Sequence, residues 1–143
     1  MAHAKTNEIF NAPIEKVFKV ISDYSSYPKF LNDVKRVSII DDKGDKKLVE
    51  FELQMMKSFR YQLWLTEKHN EEVSWKFHTG DVFKENSGHW RLKDLGDGKT
   101  EVHYEISAKF GLLVPGMIEK KLIEVNLPSM MRAYKERAES GND

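Results

Sequence analysis

The chain has 143 residues, which is room for one domain at roughly 100–200 residues apiece, so 1–143 is read as a single unit. Lys plus Arg and Asp plus Glu each number 23, and the resulting zero net charge argues against a protein that coats nucleic-acid phosphates. Apolar residues at 40% and aromatics at 11% are enough for a packed core, while the absence of cysteine excludes disulfides, thiolate metal sites and cysteine nucleophiles.

No apolar run approaches the ~18 residues that span a bilayer. Met1-Ala2-His3-Ala4-Lys5-Thr6-Asn7-Glu8 lacks the apolar stretch of a signal peptide, so a soluble cytoplasmic chain is the expectation. Ala4 to Phe10 reads as a first strand. Pro13 sits well in the first turn of a helix, where its missing N–H costs nothing. Ile14, Val17, Phe18 and Ile21 then recur at helical spacing, predicting a short amphipathic helix over Pro13 to Ser22. Tyr27 to Leu31 predicts a second, single-turn helix.

From Val34 the period changes to two. Val49, Phe51, Leu53 and Met55 alternate with polar residues, as do Phe59, Tyr61, Leu63 and Leu65, then Val73, Trp75 and Phe77, then Trp90 and Leu92, then Val102, Tyr104, Ile106, Ala108 and Phe110. The turns between them are polar or Gly-rich, and Leu95-Gly96-Asp97-Gly98-Lys99 is a hairpin turn. Short loops between successive strands predict an antiparallel meander with one wet and one dry face. Trp64 falls on the wet face, where a hairpin centred near Asn70 sets it opposite Lys76 for a cation–π contact.

Pro115 to Ala138 reads as a long helix of about 36 Å at 1.5 Å per residue. It carries two apolar stripes, one of Ile118, Leu122 and Val125 and one of Ile123, Leu127, Met130 and Tyr134. Pro128 between them predicts a kink that swings both stripes onto the sheet. The class is therefore α+β, with one helix covering the dry face of a curved sheet and a space between them in which a ligand pocket forms.

Chemical motifs are few. Gly96-Asp97-Gly98 leads into a strand rather than a helix, so it is no phosphate-binding loop. Asp41-Asp42-Lys43-Gly44-Asp45 lacks the alternation of a calcium loop. His78, His89 and His103 fall on the wet face and are expected to be solvent-exposed; neither a metal nor a cofactor is expected. No nucleophile stands beside a base. Two apolar tips stand out: Phe110 to Met117, which is a candidate gate, a candidate membrane or protein contact, or a plug of the core, and Met55 to Phe59.

Specific residues carry a resemblance. Asn11-Ala12-Pro13-Ile14-Glu15-Lys16-Val17-Phe18, the Asp23-x-x-x-Tyr27-Pro28-x-Phe30-Leu31 element, Gly88-His89-Trp90-Arg91-Leu92 and Met131 to Ala138 resemble the START-like, polyketide cyclase/coenzyme Q-binding proteins (the SRPBCC or Bet v 1-like superfamily). Asn32-Asp33 departs from that family's usual proline, and Pro128 from its coenzyme Q-binding pattern. The resemblance implies a helix-grip fold, β-α-α-β6-α, with a seven-stranded antiparallel sheet wrapped around the C-terminal helix over a hydrophobic cavity. In the family that cavity holds lipids, quinones or polyketides, and no family-wide catalytic residue carries over.

The expected function is binding or transport of a hydrophobic small molecule. Its pocket is expected to be lined by Phe30, Phe51, Leu53, Met55, Tyr61, Leu63, Trp75, Phe77, Trp90, Tyr104, Ile106, Ala108, Leu113, Met117 and Met130. The tyrosine hydroxyls orient the ligand's polar end, and a volume of about 300–1,000 Å³ is expected. The alternatives are a cyclase or dehydratase with Tyr61 or Tyr104 as acid, and a ribosome-associated, toxin-like interaction protein that docks through Leu112 to Val114.

Overall fold

Period-two alternation from Val34 onward becomes six strands that run as an unbroken meander: β2 (Val34–Asp42), β3 (Lys46–Gln54), β4 (Ser58–Lys68), β5 (Glu72–Gly80), β6 (Phe83–Gly96) and β7 (Lys99–Phe110). The first strand, β1 (Ala2–Phe10), pairs antiparallel with β7, giving the sheet order β1-β7-β6-β5-β4-β3-β2. The computed structural model describes residues 2–55 and 57–141, so Met56, at one of the two apolar tips, lies outside the described residues. Between β1 and β2 the chain crosses from one sheet edge to the other through α1 (Ile14–Ser22) and a 3-10 helix (Tyr24–Lys29). The 3-10 helix begins three residues earlier than the sequence pattern predicts and packs Tyr24 and Tyr27 inward.

The β6–β7 turn shows how a local rule fixes register. Asp97 and Gly98 have φ of 55° and 72°, the left-handed pair of a two-residue hairpin whose twist matches the strands it joins. At two other places glycine permits contact between strands. A side chain at Gly88 would lie 2.2 Å from the carbonyl oxygen of Glu105 and 2.5 Å from the Trp75 ring; one at Gly80 would lie 2.4 Å from Tyr61 Cβ. Trp75 and Tyr61 can turn toward the concave face because nothing projects there.

The chain returns over that concave face as α2 (Gly116–Lys120), a π-helical stretch (Lys121–Asn126) and α3 (Leu127–Glu139). Pro128 has no N–H for the carbonyl four residues back. The helix widens into the π stretch just before it and resumes α geometry at Leu127, with Pro128 in the first turn of α3. The wider turn changes the angular offset between the two apolar stripes. Leu122 of one and Ile123, Leu127, Met130 and Tyr134 of the other all face the space under the sheet, leaving Val125 outside at 58% exposure.

Two ties hold α3 to the start of the chain. Glu139 Oε2 accepts from the Asn11 backbone N–H at 2.8 Å and from Lys135 Nζ at 2.5 Å, and Lys135 also donates to the Ile9 carbonyl. Thr100, fully buried, donates to the Ala12 carbonyl at 2.8 Å. The main core runs from Phe10, Val17 and Ile21 through Val49, Val73 and Val102 to Met131 and Tyr134; a second, smaller one gathers Phe59, Val82 and Ile118 at the far end of the sheet. Trp64 does pair opposite Lys76 in register, but its cation–π partners are Lys43 and Lys46, each 5.2 Å from the ring centroid. The β2–β3 hairpin supplies both, because Lys46 pairs with Thr66, two residues beyond Trp64.

Candidate functional site

Between the two cores the sheet and the C-terminal helix leave a cavity of about 220 Å³. It is smaller than the pocket the sequence reading expects, since large rings form most of its wall. Phe30, Phe51, Leu53, Tyr61, Leu63, Trp75, Trp90, Tyr104, Ile106, Ala108 and Met130 line it, brought there from the 3-10 helix end, β3 to β7 and α3. The rings brace one another: Phe51 stacks on Tyr61 at 5.5 Å, Trp75 on Tyr104 at 5.6 Å, and Trp90 lies 4.6 Å from Tyr104 and 4.7 Å from Tyr134. Edge and offset contacts of this kind hold a wall open without collapse.

Four of the expected lining residues lie elsewhere. Phe77 packs on the core behind Phe83, whose ring sits 5.1 Å from Tyr61 and takes the place in the wall that alternation alone assigns to Phe77. Met55 packs against the second core. Leu113 is 97% exposed and Met117 67%, and with Leu112 at 91% the apolar tip does not plug the core. Phe110 and Val114 of the tip, with Ile118 just beyond it, turn inward against Phe59 and Val82.

The hydroxyl groups divide into two sets. Tyr24 donates to Glu67 Oε2 at 2.8 Å, where Lys47 Nζ also binds at 3.2 Å. Tyr134 donates to the Tyr27 hydroxyl, and Tyr27 donates to the Ile21 carbonyl. Tyr61 and Tyr104 touch the cavity with no hydrogen-bond partner among the described residues; burial pushes the pKa of both phenols up. Both are therefore fixed as neutral donors. Asn86 is the polar wall residue that the sequence reading missed, because β6 begins earlier than Trp90 alone indicates. Its Oδ1 accepts from Trp75 Nε1 at 2.9 Å, leaving the amide N–H2 as a donor. Asp33 and Asn126 hydrogen-bond to each other at the rim, where β2 meets the π stretch.

The cavity thus offers donors to a guest, from Tyr61, Tyr104 and Asn86, within a wall of rings and aliphatic side chains. Among the described residues no histidine lines it, and Asp33 is its one carboxylate.

The family profile described as polyketide cyclase/dehydrase and lipid transport matches residues 10–135. No curated protein matches the sequence. Among solved structures, a START superfamily protein from Mycobacterium smegmatis superposes with a TM-score of 0.83 at 20% identity, covering 96% of this chain and 97% of that one. The Zhui aromatase/cyclase from a Streptomyces species gives a TM-score of 0.86 at 16% identity, over 96% of this chain and 93% of the other. A protein of Thermus thermophilus gives 0.81 at 17% identity, over 96% and 97%. At these identities the likeness establishes a common helix-grip fold.

Proposed function

Because the chain belongs to the polyketide cyclase/dehydrase and lipid transport family, we propose that it binds a one- or two-ring aromatic or quinone-like molecule bearing carbonyl oxygens in the cavity under its sheet. The observation that carries this reading is the pair of unpartnered phenols, Tyr61 and Tyr104, in an aromatic wall. Neither hydroxyl is bonded to a protein acceptor, so a carbonyl oxygen on a guest can take the hydrogen bond that each has to give, worth about 1 kcal/mol net apiece. Size points the same way: a dry apolar cavity of about 150 Å³ holds benzene, and this one is about 220 Å³.

Cyclisation or dehydration within the same cavity is the second reading, and the family description supports it. It asks Tyr61 or Tyr104 to give up a proton. Burial raises both pKa values, which makes each phenol a weaker acid and a steadier hydrogen-bond donor. Binding is therefore the stronger proposal.

Trp75 and Trp90 line the cavity and report its occupancy directly. Titration with 1,4-naphthoquinone is expected to quench their emission saturably at one equivalent. Tyr61→Phe with Tyr104→Phe should weaken binding about 10-fold, the worth of roughly one net hydrogen bond. Filling the cavity by Ala108→Phe should abolish it while the fold is retained. Non-saturable quenching, or affinity indifferent to all three substitutions, would overturn the proposal. Conversion of a polyketone probe by the parent chain but not by the double phenylalanine variant would favour the catalytic reading.

A further inference from the structure

We propose that His89, His103 and Glu105, on the outer face of the sheet, form a binding site for a zinc-class divalent transition-metal ion. The site is separate from the cavity: on β7 the even residues Tyr104, Ile106 and Ala108 face inward, so His103 and Glu105 face out. The sequence reading expects these histidines to be solvent-exposed strand residues and sets aside a metal site assembled from them across strands. The ladder brings them together, since His89 pairs directly with Glu105 across β6 and β7, and His103 lies two residues along the same face. The side chains of His89 and His103 retain only 17% and 28% exposure.

The geometry is close to what such an ion requires. Bonds of about 2.0–2.1 Å at a tetrahedral angle put neighbouring donor atoms about 3.3 Å apart. Here His103 Nε2 lies 3.4 Å and His89 Nε2 3.8 Å from Glu105 Oε1, and all three donor atoms fall within 4.8 Å of one another. His103 Nδ1 donates to Asn7 Oδ1 at 2.8 Å, and its Nε2 meets Glu105 Oε1 in a long contact of 3.4 Å that a bound ion would replace. His89 Nε2 is buried with no hydrogen-bond partner. A buried imidazole nitrogen without a hydrogen-bond partner thus faces the His103–Glu105 pair, an arrangement that a shared cation would complete.

The surrounding residues have the character of an outer shell. Metal-bound histidines characteristically donate their other N–H to a fixed acceptor, as His103 does to Asn7. His3 Nε2 lies 3.3 Å from the other carboxylate oxygen, Oε2, while its Nδ1 is bonded to Ser107 Oγ at 2.9 Å, so His3 holds Glu105 to one coordinating oxygen. Of the neighbouring cations, Arg91 is engaged by Glu72 at 3.0 Å, and Lys5 pairs with Glu105 in register. Two nitrogens and one oxygen select zinc-class ions over the all-oxygen ions magnesium and calcium, and a fourth position is left for water.

The test is titration of untagged, chelator-treated protein with Zn2+ against a chromophoric competitor, together with the visible spectrum of the Co2+ form. One ion per chain is expected, with the intense bands of tetrahedral cobalt. His89→Ala, His103→Ala and Glu105→Gln should each weaken binding at least 10-fold, whereas His69→Ala and His78→Ala leave it unchanged. Excess Mg2+ should not compete. Absence of stoichiometric binding, an octahedral cobalt spectrum, or affinity unaltered in His103→Ala would overturn the assignment. Because the cobalt spectrum is read on the parent chain, failure of any variant to fold leaves the test intact.

Discussion

Replacing each buried tyrosine in turn by phenylalanine separates hydroxyl groups that hold the fold from those free to hold a guest. Tyr24→Phe removes a donor from the Glu67 carboxylate. Hydrogen bonds to charged groups are worth about 1.5–3 kcal/mol, and Glu67 keeps Lys47, so the cost falls at the lower end, about 1.5 kcal/mol. Tyr27→Phe leaves both the Ile21 carbonyl and the Tyr134 hydroxyl without their partner, at about 2 kcal/mol. Tyr134→Phe removes one donor but leaves Tyr27 bonded to Ile21, at about 1 kcal/mol. Tyr61→Phe and Tyr104→Phe break no protein hydrogen bond, so the empty protein should change by less than about 0.5 kcal/mol or become more stable. With a urea m-value of about 1.5 kcal/mol/M, Tyr24→Phe moves the unfolding midpoint down by about 1 M. Equilibrium urea unfolding followed by tryptophan emission measures all five. A loss above about 1 kcal/mol for either Tyr61→Phe or Tyr104→Phe would refute the division, because it would mean that those hydroxyls already have partners.

Further outcomes follow from the strand contacts and the helix terminus. Gly88→Ala places a methyl group within 2.5 Å of the Trp75 ring and against the Glu105 carbonyl, so it should cost about 1–3 kcal/mol and shift the Trp75 emission as the ring moves into the cavity; an unshifted spectrum and unchanged stability would count against it. At Glu139, burial acts to raise the carboxyl pKa, but the bonds from Lys135 and the Asn11 backbone outweigh it and hold the pKa below the ordinary value. A carboxyl whose pKa is lower in the folded chain contributes stability above its unfolded pKa and loses it as pH falls through the folded one. Glu139→Gln should therefore cost about 0.5–1 kcal/mol near pH 7, with the difference from the parent closing below about pH 4. Thermal unfolding across pH 3–7 measures this, and a gap that persists at pH 3 would contradict it.

The sheet and its dry face were legible because alternation is a strong local signal, and most of the cavity wall follows from it: Phe51, Tyr61, Trp75, Trp90 and Tyr104 all lie where period two places them. Legibility failed where the outcome depended on another element. Phe77 obeys its strand's alternation, yet Phe83 from the next strand covers it. Leu113 and Met117 are apolar in a connecting loop, and composition does not say which side of a loop meets the protein. The effect of Pro128 was legible only as a disturbance of the helix; that it takes the form of a π stretch, which brings two stripes that a regular helix keeps apart onto the cavity, depends on the packing under the sheet. The histidine cluster was set aside for a different reason. His89 and His103 are 14 positions apart in the chain, and only the register of the β6–β7 hairpin makes them neighbours.

That register ties the two proposed sites together. The Asp97-Gly98 turn sets the pairing of β6 with β7, and through it both Trp90 against Tyr104 on the cavity side and His89 against Glu105 on the outer side. Side chains alternate with a period of two, so a slip of one residue would exchange the faces, turning His103 and Glu105 toward the aromatic wall and Tyr104 toward solvent. Burying an imidazole and a carboxylate there is costly enough to forbid the slip. The polar residues of β7 therefore specify the position of its apolar ones as firmly as the reverse. An outer-face ion bound across β6 and β7 would clamp the two strands that carry Trp90, Tyr104 and Ala108. Metal occupancy should then stiffen the cavity wall, and amide exchange along β7 should slow when zinc is added while that in β2, at the opposite sheet edge, does not change. Equal slowing at both edges would instead mark a general effect of the ion on stability.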